Sequence, residues 1–242
     1  MSRTSFENFG RRTLEVNDPT QMAARYRIQK DAERRIVLEI ARKLNLLPED
    51  VVLEVGCNVG TLLIPISFLC KEVSGIDHAY CVERLSQRYQ ADNVHLIAGN
   101  FLEVEVAQQF DKILCYSVIQ YLKDSEEVLR FVDKLVHLLR PGGKMLLGDI
   151  PNISLKNRFL QSDSGREFVQ RWEALRNRDA QKDLAYDHTL PQDTELVQFD
   201  DALVLRMVAR CRAQGFHAYT LPQAPDLPFG NTREDILISR LE

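Results

Sequence analysis

Two stretches of the chain combine residue types at spacings that serve chemistry. Glu54-Val55-Gly56-Cys57-Asn58-Val59-Gly60 follows the apolar run Val51-Val52-Leu53, as expected of a strand that ends in an acid and turns through glycine into a helix. Such a turn puts backbone at the carboxyl edge of a sheet, where ligands of open α/β sheets bind, and glycine lets that backbone approach a ligand closely. The next apolar run ends at Asp77. That is the roughly 20-residue interval from which an acidic side chain can accept hydrogen bonds from both hydroxyls of a ribose. The pair specifies a nucleoside site far more narrowly than a glycine turn alone. A nicotinamide fingerprint would place its third glycine three residues after its second, and Val59-Gly60-Thr61 does not fit that spacing.

The elements that must hold these residues alternate. Residues Gln21 to Leu46 are expected to form one helix, with Ile36, Ile40 and Leu44 on one face, closed by Pro48-Glu49-Asp50. Strands are then expected over Val51 to Val55, Val73 to Asp77, Val94 to Ala98, Lys112 to Tyr116 and Lys144 to Ile150. Helices are expected over Thr61 to Cys70, Ala79 to Tyr89 and Ser125 to Leu139, with a further short one before Lys112. This order implies right-handed crossovers and a mostly parallel sheet covered on both faces. Beyond Pro151 the alternation lapses into a polar, charged and aromatic stretch, Asn152 to Gln198, expected to be an insertion or lid. Asp201 to Ala213 resumes as a helix stopped at Gly215, and Phe216 to Leu221 and Asp235 to Leu241 are the last strands. The expected organisation is a helical segment 1–50, a ligand-binding half-sheet 51–150, the insertion 151–198 and a C-terminal part 199–242 of the same domain.

With 242 residues and 45% hydrophobic content, one large domain can bury its core. The longest apolar run, near Leu62 to Cys70, is broken by Pro65 and Ser67, and Met1 to Lys30 is polar and charged. These features point to a soluble cytoplasmic protein, monomer or homodimer, without a membrane span. A net charge of −4 argues against nucleic acid as partner, since phosphate binding needs clustered cations. The local exception is Arg25, Arg27, Lys30, Arg34 and Arg35, either a solvated helix face or a contact for an anion. Cys57, Cys70, Cys81, Cys115 and Cys211 form no Cys-x-x-Cys pair, and the five histidines are scattered. The thiols are expected to be reduced and structural, with no metal site.

From Val51 to Ile150, and by element order to the C-terminus, the sequence resembles the class I S-adenosylmethionine (SAM)-dependent methyltransferases. Their first motif, an acid followed by Gly-x-Gly-x-Gly, corresponds to Glu54, Gly56, Asn58 and Gly60, with Asn58 replacing the central glycine. Asn tolerates left-handed backbone better than most residues, so the turn can survive. Gly99-Asn100-Phe101 after the third strand, Tyr116-Ser117-Val118-Ile119-Gln120-Tyr121-Leu122 after the fourth and Arg140-Pro141-Gly142-Gly143 before the fifth resemble later motifs. The resemblance implies a Rossmann-like α/β fold, a seven-stranded mostly parallel sheet with an antiparallel last strand and helices on both faces. It implies SAM as cofactor. Glu54 would then meet the methionine amino group and Gly56, Cys57, Asn58 and Gly60 would lie beneath the methionine and sugar. Asp77 would hold the ribose, Asn100 and Phe101 the adenine, and His78 and Tyr116 would border the same ligand.

Methyl transfer from a sulfonium is an in-line displacement. Good alignment supplies about 7–11 kcal/mol, whereas a general base typically supplies about 10²–10⁴-fold. For a hydroxyl acceptor the candidate bases are Asp149 ending the fifth strand, His188 in the insertion and Tyr121 after the fourth strand. Each has a structural alternative: a turn cap, a surface residue beside Asp187 and a packing aromatic. Asp149-Ile150-Pro151-Asn152 with Lys156, Arg158 and Phe159 looks like methyltransferases of bacterial cell-surface glycan and related biosynthetic clusters. Lys156 and Arg158 would neutralise a phosphate or carboxylate of the acceptor, and Trp172 would lie against a ring; a solvated basic loop is the plainer reading. The expected activity is O-methylation of a small molecule, a sugar or phosphorylated glycan precursor. An N-acceptor, an RNA methyltransferase or a degenerate SAM-binding scaffold are the alternatives.

Overall fold

The computed structural model describes residues 4–183 and 196–242. Helices α1 (Ser5–Glu15), α2 (Pro19–Met22), α3 (Lys30–Glu33) and α4 (Ile36–Leu44) precede β1 (Val51–Val55). Then follow α5 (Leu63–Ser67), β2 (Glu72–Asp77), α6 (Ala79–Arg88), β3 (Val94–Ala98), β4 (Phe110–Tyr116), α7 (Ser125–His137) and β5 (Leu139–Pro151). The chain continues with α8 (Ile153–Gln161), α9 (Asp163–Asp183), α10 (Asp201–Ala213), β6 (His217–Pro222) and β7 (Arg233–Ser239). The seven strands form one sheet in the order β3-β2-β1-β4-β5-β7-β6. Pairings from β3 through β5 are parallel, and β7 runs antiparallel between β5 and β6. This is the expected methyltransferase-type sheet, with the last strand reversed.

Successive residues of a strand face opposite sides, so each strand feeds two cores. Leu53 and Val55 pack with Val132 and Leu135 of α7 and Val204 and Met207 of α10. Val52, Leu114 and Leu146 pack on the other face with Ile36, Ile40 and Leu44 of α4, Leu63 and Ile66 of α5 and Leu85 of α6. Each such side chain, fully buried, stabilises by about 1.5–3 kcal/mol. All of β1 is buried, which is why it reads as a continuous apolar run rather than an alternation. Because β2 and β3 lie on one side of β1 and β4 and β5 on the other, a crevice opens at the carboxyl ends where the winding reverses.

Several expectations fail locally. The single helix over Gln21 to Leu46 is broken. α2 stops at Met22, Ala24 takes φ +54, a 3-10 turn spans Arg27–Gln29, and α4 begins only at Ile36. The break turns Arg25 into the protein, so the basic residues do not share one helix face: Arg25 is buried while Arg34 and Arg35 are exposed. The short helix before Lys112 is a turn, with Glu103 and Val104 N–H groups donating to Asn100 O. The insertion carries α8 and α9, whose polar surfaces hide their helical period from the sequence. α1 is also new; its Thr4-x-x-Glu7 capping box is a start signal that the polar composition of the segment obscures. Pro141-Gly142-Gly143 sits inside the irregular beginning of β5 rather than before it. Among the described residues no helix is long and apolar enough to cross a membrane.

Candidate active site

A cavity of about 750 Å³ opens at the carboxyl ends of β1, β2 and β4, within the size range of small-molecule sites. β1 and its turn bring Glu54, Gly56, Cys57 and Asn58 to it, β2 brings Asp77, and the loop after β3 brings Asn100 and Phe101. On the other side stand Tyr116, Ser117 and Tyr121 after β4, Met22 and Arg25 from the broken helix, and Phe6 and Phe9 of α1.

On the first wall, Asp77 fixes the glycine turn. Its Oδ2 accepts from Asn58 N at 2.7 Å and its Oδ1 from His78 N at 2.6 Å. Asn58 takes φ +46 and Gly56 φ +84, so asparagine does adopt the left-handed turn where glycine is usual. A Cβ on Gly56 would fall 2.2 Å from Val118 Cγ2, which leaves glycine as the residue that fits. Glu54 is 2% exposed and its Oε2 has no hydrogen-bond partner among the described residues. Burial first, and then the neighbouring Asp77, push the Glu54 carboxyl up to about 8. Burial also raises Asp77, partly offset by the Asn58 and His78 N–H groups. A buried carboxyl and a half-buried one facing one cavity, with an orphaned oxygen, make a receptor for a cation and for hydroxyl donors. Those acceptors fit the α-ammonium and ribose of a SAM-type nucleoside.

The second wall is a buried ion network. Arg25 donates to Glu33 Oε1 at 2.8 Å and to Ser117 Oγ at 3.0 Å. Ser117 Oγ in turn donates to Asp149 Oδ2. Asp149 is 3% exposed and does not reach the cavity wall, and its N–H donates to Asp235 Oδ1 at 2.9 Å. Arg233 Nε lies 3.9 Å from Asp149 Oδ1, an oxygen with no hydrogen-bond partner among the described residues. Burial alone would lower the Arg25 guanidinium, but Asp149 and Glu33 hold it above its ordinary value. Tyr116 OH accepts from Gln223 Nε2 at 3.1 Å, and Gln223 also donates to Asp235. Ala24, Ser117 and Asp149 all carry positive φ. Each such non-glycine residue costs on the order of 1–3 kcal/mol. Asp149 falls within the register shift between β5 and β7, and a bulge there re-aims the strand end.

Other expected site residues lie elsewhere. Gly60 backs onto Leu85 and Ile64 and lines no part of the cavity. His78 caps α6, accepting from Tyr80 N, and its ring packs against Phe6 and Gly10 of α1 instead of the cavity. Burial raises the Tyr121 hydroxyl, and its ring lies 4.3 Å from that of Phe9, so it lines the cavity as a neutral phenol. Lys156 is exposed, and Arg158 is exposed and paired with Asp201 of α10; neither lines the cavity, because α8 turns them outward. Trp172 stacks on Phe168 and meets Tyr26 edge-on at 5.4 Å, away from the cavity. His188 lies outside the described residues. Arg25 as an inward-facing group, Ser117, Phe6 and Phe9 were not legible as site residues. Only the capping box of α1 offered a signal.

A family model described as Nodulation protein S (NodS) matches residues 2–161. The "Ubiquinone biosynthesis O-methyltransferase" of Nitrobacter winogradskyi is 29% identical over 184 residues, 71% of this chain and 68% of that protein. The protein of the same name from Rhodopseudomonas palustris is 30% identical over 176 residues, 68% of this chain and 67% of its own. Among solved structures, the N-methyltransferase NodS from Bradyrhizobium japonicum with S-adenosyl-L-homocysteine (SAH) superposes with a TM-score of 0.62 at 17% identity. It covers 98% of this chain and 97% of that one. Magnesium protoporphyrin IX methyltransferase from Synechocystis with bound SAH gives 0.61 at 16% identity, covering 97% and 94%. At these identities the structural likeness concerns the fold.

Proposed function

Because the chain belongs to the NodS family of SAM-dependent methyltransferases, we propose that it methylates a hydroxyl of a small, polar, sugar-like acceptor. The observation that carries the reading is the pairing of walls in one cavity: an unpartnered Glu54 oxygen beside the Asp77 carboxyl, and a serine backed by a carboxylate at Ser117 and Asp149. On this reading Glu54 takes the cofactor's α-ammonium and Asp77 its ribose hydroxyls. Asn100 meets the adenine edge, and Gly56, Cys57 and Asn58 lie beneath the methionine and sugar. Bound SAM supplies a methyl group on a sulfonium, which departs as a neutral thioether. The chain's own task is to align an acceptor oxygen and remove its proton.

Asp149 is the proton sink in this reading, since Tyr121 is held as a neutral phenol. With Lys156 and Arg158 outside the cavity, its lining cations among the described residues are Arg25, which two carboxylates already balance, and the exposed Lys123, which lines it alongside Asp124 and Glu127. A neutral hydroxylated acceptor therefore suits the site better than a phosphorylated one.

Labelled SAM offered with glucose, glucose 6-phosphate, catechol and ethanolamine, followed by mass spectrometry, tests the proposal. The expected product carries its methyl on oxygen, with the neutral hydroxyl probes preferred over the phosphate. Methylation of ethanolamine alone would replace the O-methyl reading with an N-methyl one.

A further inference from the structure

We propose that Ser117 is a catalytic residue that passes the acceptor hydroxyl's proton to Asp149. The inference rests on the O-methylation reading and adds to it the group that touches the acceptor. Asp149 cannot do so itself, because it lies buried behind the cavity wall, whereas Ser117 stands on that wall between Tyr116 and Val118.

A serine hydroxyl has one proton to give and two lone pairs. At Ser117 the proton points to Asp149 Oδ2 and one lone pair is taken by Arg25 Nη2 at 3.0 Å. The second lone pair is left for a donor in the cavity, and an acceptor hydroxyl is such a donor. Donating to Ser117 Oγ fixes the acceptor oxygen and leaves its own lone pair free to attack the methyl carbon. As the new C–O bond forms and the C–S bond breaks, the acceptor proton moves to Ser117 Oγ. The serine's original proton moves to Asp149 Oδ2. The products are a methyl ether, a neutral thioether, an unchanged serine and a protonated Asp149, which returns its proton to water after release.

The surroundings hold this geometry at the expense of local strain. Ser117, Asp149 and Ala24, the residue before Arg25, all adopt left-handed backbone without being glycine. Asp149 is held from behind by its N–H bond to Asp235 and by Arg233, whose Nη1 donates to Asp149 O at 3.2 Å. Arg25 is the positioning residue: anchored by Glu33, it keeps Ser117 Oγ oriented and opposes negative charge on it during transfer.

The test uses the full-length enzyme with SAM and either catechol or glucose as hydroxyl probe, in single turnover, with SAH affinity measured separately by calorimetry. Ser117→Ala and Asp149→Asn should each lower the transfer rate about 10²-fold or more. Probe KM and SAH affinity should stay within about threefold, since only an interaction of the transition state is lost. The wild type should show a solvent deuterium effect that curves with deuterium content, as two protons in flight require, and Ser117→Ala should lose that curvature. Ser117→Gly suits the positive φ and admits a water in place of the hydroxyl, so it should recover part of the rate and carries the test if the alanine variant folds poorly. A wild type that methylates the probe alongside a folded Ser117→Ala of undiminished rate overturns the relay alone. A wild type that methylates neither hydroxyl probe overturns the O-methylation reading and the relay with it.

Discussion

The two walls of the cavity are built over different ranges of chain. The Glu54–Asp77 wall closes over short separations: Asp77 grips Asn58 across 19 residues, with the glycine turn between. The Arg25–Ser117–Asp149 wall closes over long ones: Arg25 to Ser117 spans 92 residues, Asp149 to Asp235 spans 86 and Gln223 to Tyr116 spans 107. The first wall has a buried carboxyl at Glu54, one of whose oxygens has no partner among the described residues, and a half-buried one at Asp77. The second balances its charges internally. A wall short of positive charge waits for a ligand that brings it, whereas a balanced wall is preorganised for positioning and proton handling.

The contrast is sharpest when the second wall is opened. Arg25→Met would leave Glu33 buried without its cation and Asp149 with Arg233 alone, and breaking a buried pair typically costs about 3–5 kcal/mol. Urea unfolding should show that loss, and the double variant Arg25→Met with Glu33→Leu should recover much of it. A loss below about 1 kcal/mol would mean that the network is a surface-like pair of little consequence. On the first wall, Asp77→Ala removes an acceptor of two backbone N–H bonds and, on this reading, of the ribose. SAM affinity should fall by about 1–3 kcal/mol in calorimetry. Unchanged affinity would remove Asp77 from the binding role. Lys156→Ala and Arg158→Ala mark the lower end. Both side chains lie outside the cavity, so kcat/KM should change by less than about twofold, and a larger drop would return them to the acceptor site.

Legibility in the sequence follows the same division. β1, β3 and α10 stand where the sequence places them, because apolar runs and a helical period with a Gly215 stop are local signals. The turn survives Asn58 because φ +46 is accessible to asparagine. The second wall is invisible for a physical reason. Arg25 reads as one of five cations on a helix, and only the break at Ala24 turns it inward. No local pattern ties it to Ser117. Asp149 is visible as a strand-end acid, but its burial depends on a bulge set by pairing with β7. α8 carries Lys156 and Arg158 outward because Asn152 caps it and Asp201 of α10 holds Arg158; neither contact can be read from residues 149–159 alone.

Proton linkage offers a measurement specific to the unbalanced wall. Glu54, ordinarily near 4.5, is held near 8 in the folded protein. Its protonated form is therefore favoured by folding, and the wild type should lose stability relative to Glu54→Gln as pH rises from about 4.5 to 8. A ligand ammonium needs the ionised form. Calorimetric titration of SAH into wild type and Glu54→Gln at pH 6, 7 and 8 reads whether the Glu54 carboxylate receives the cofactor's ammonium. Wild-type affinity should rise by up to about tenfold per pH unit toward 8, with Glu54→Gln weaker and nearly independent of pH. A wild-type affinity that is flat across this range and equalled by Glu54→Gln would contradict the assignment of Glu54 to the cofactor.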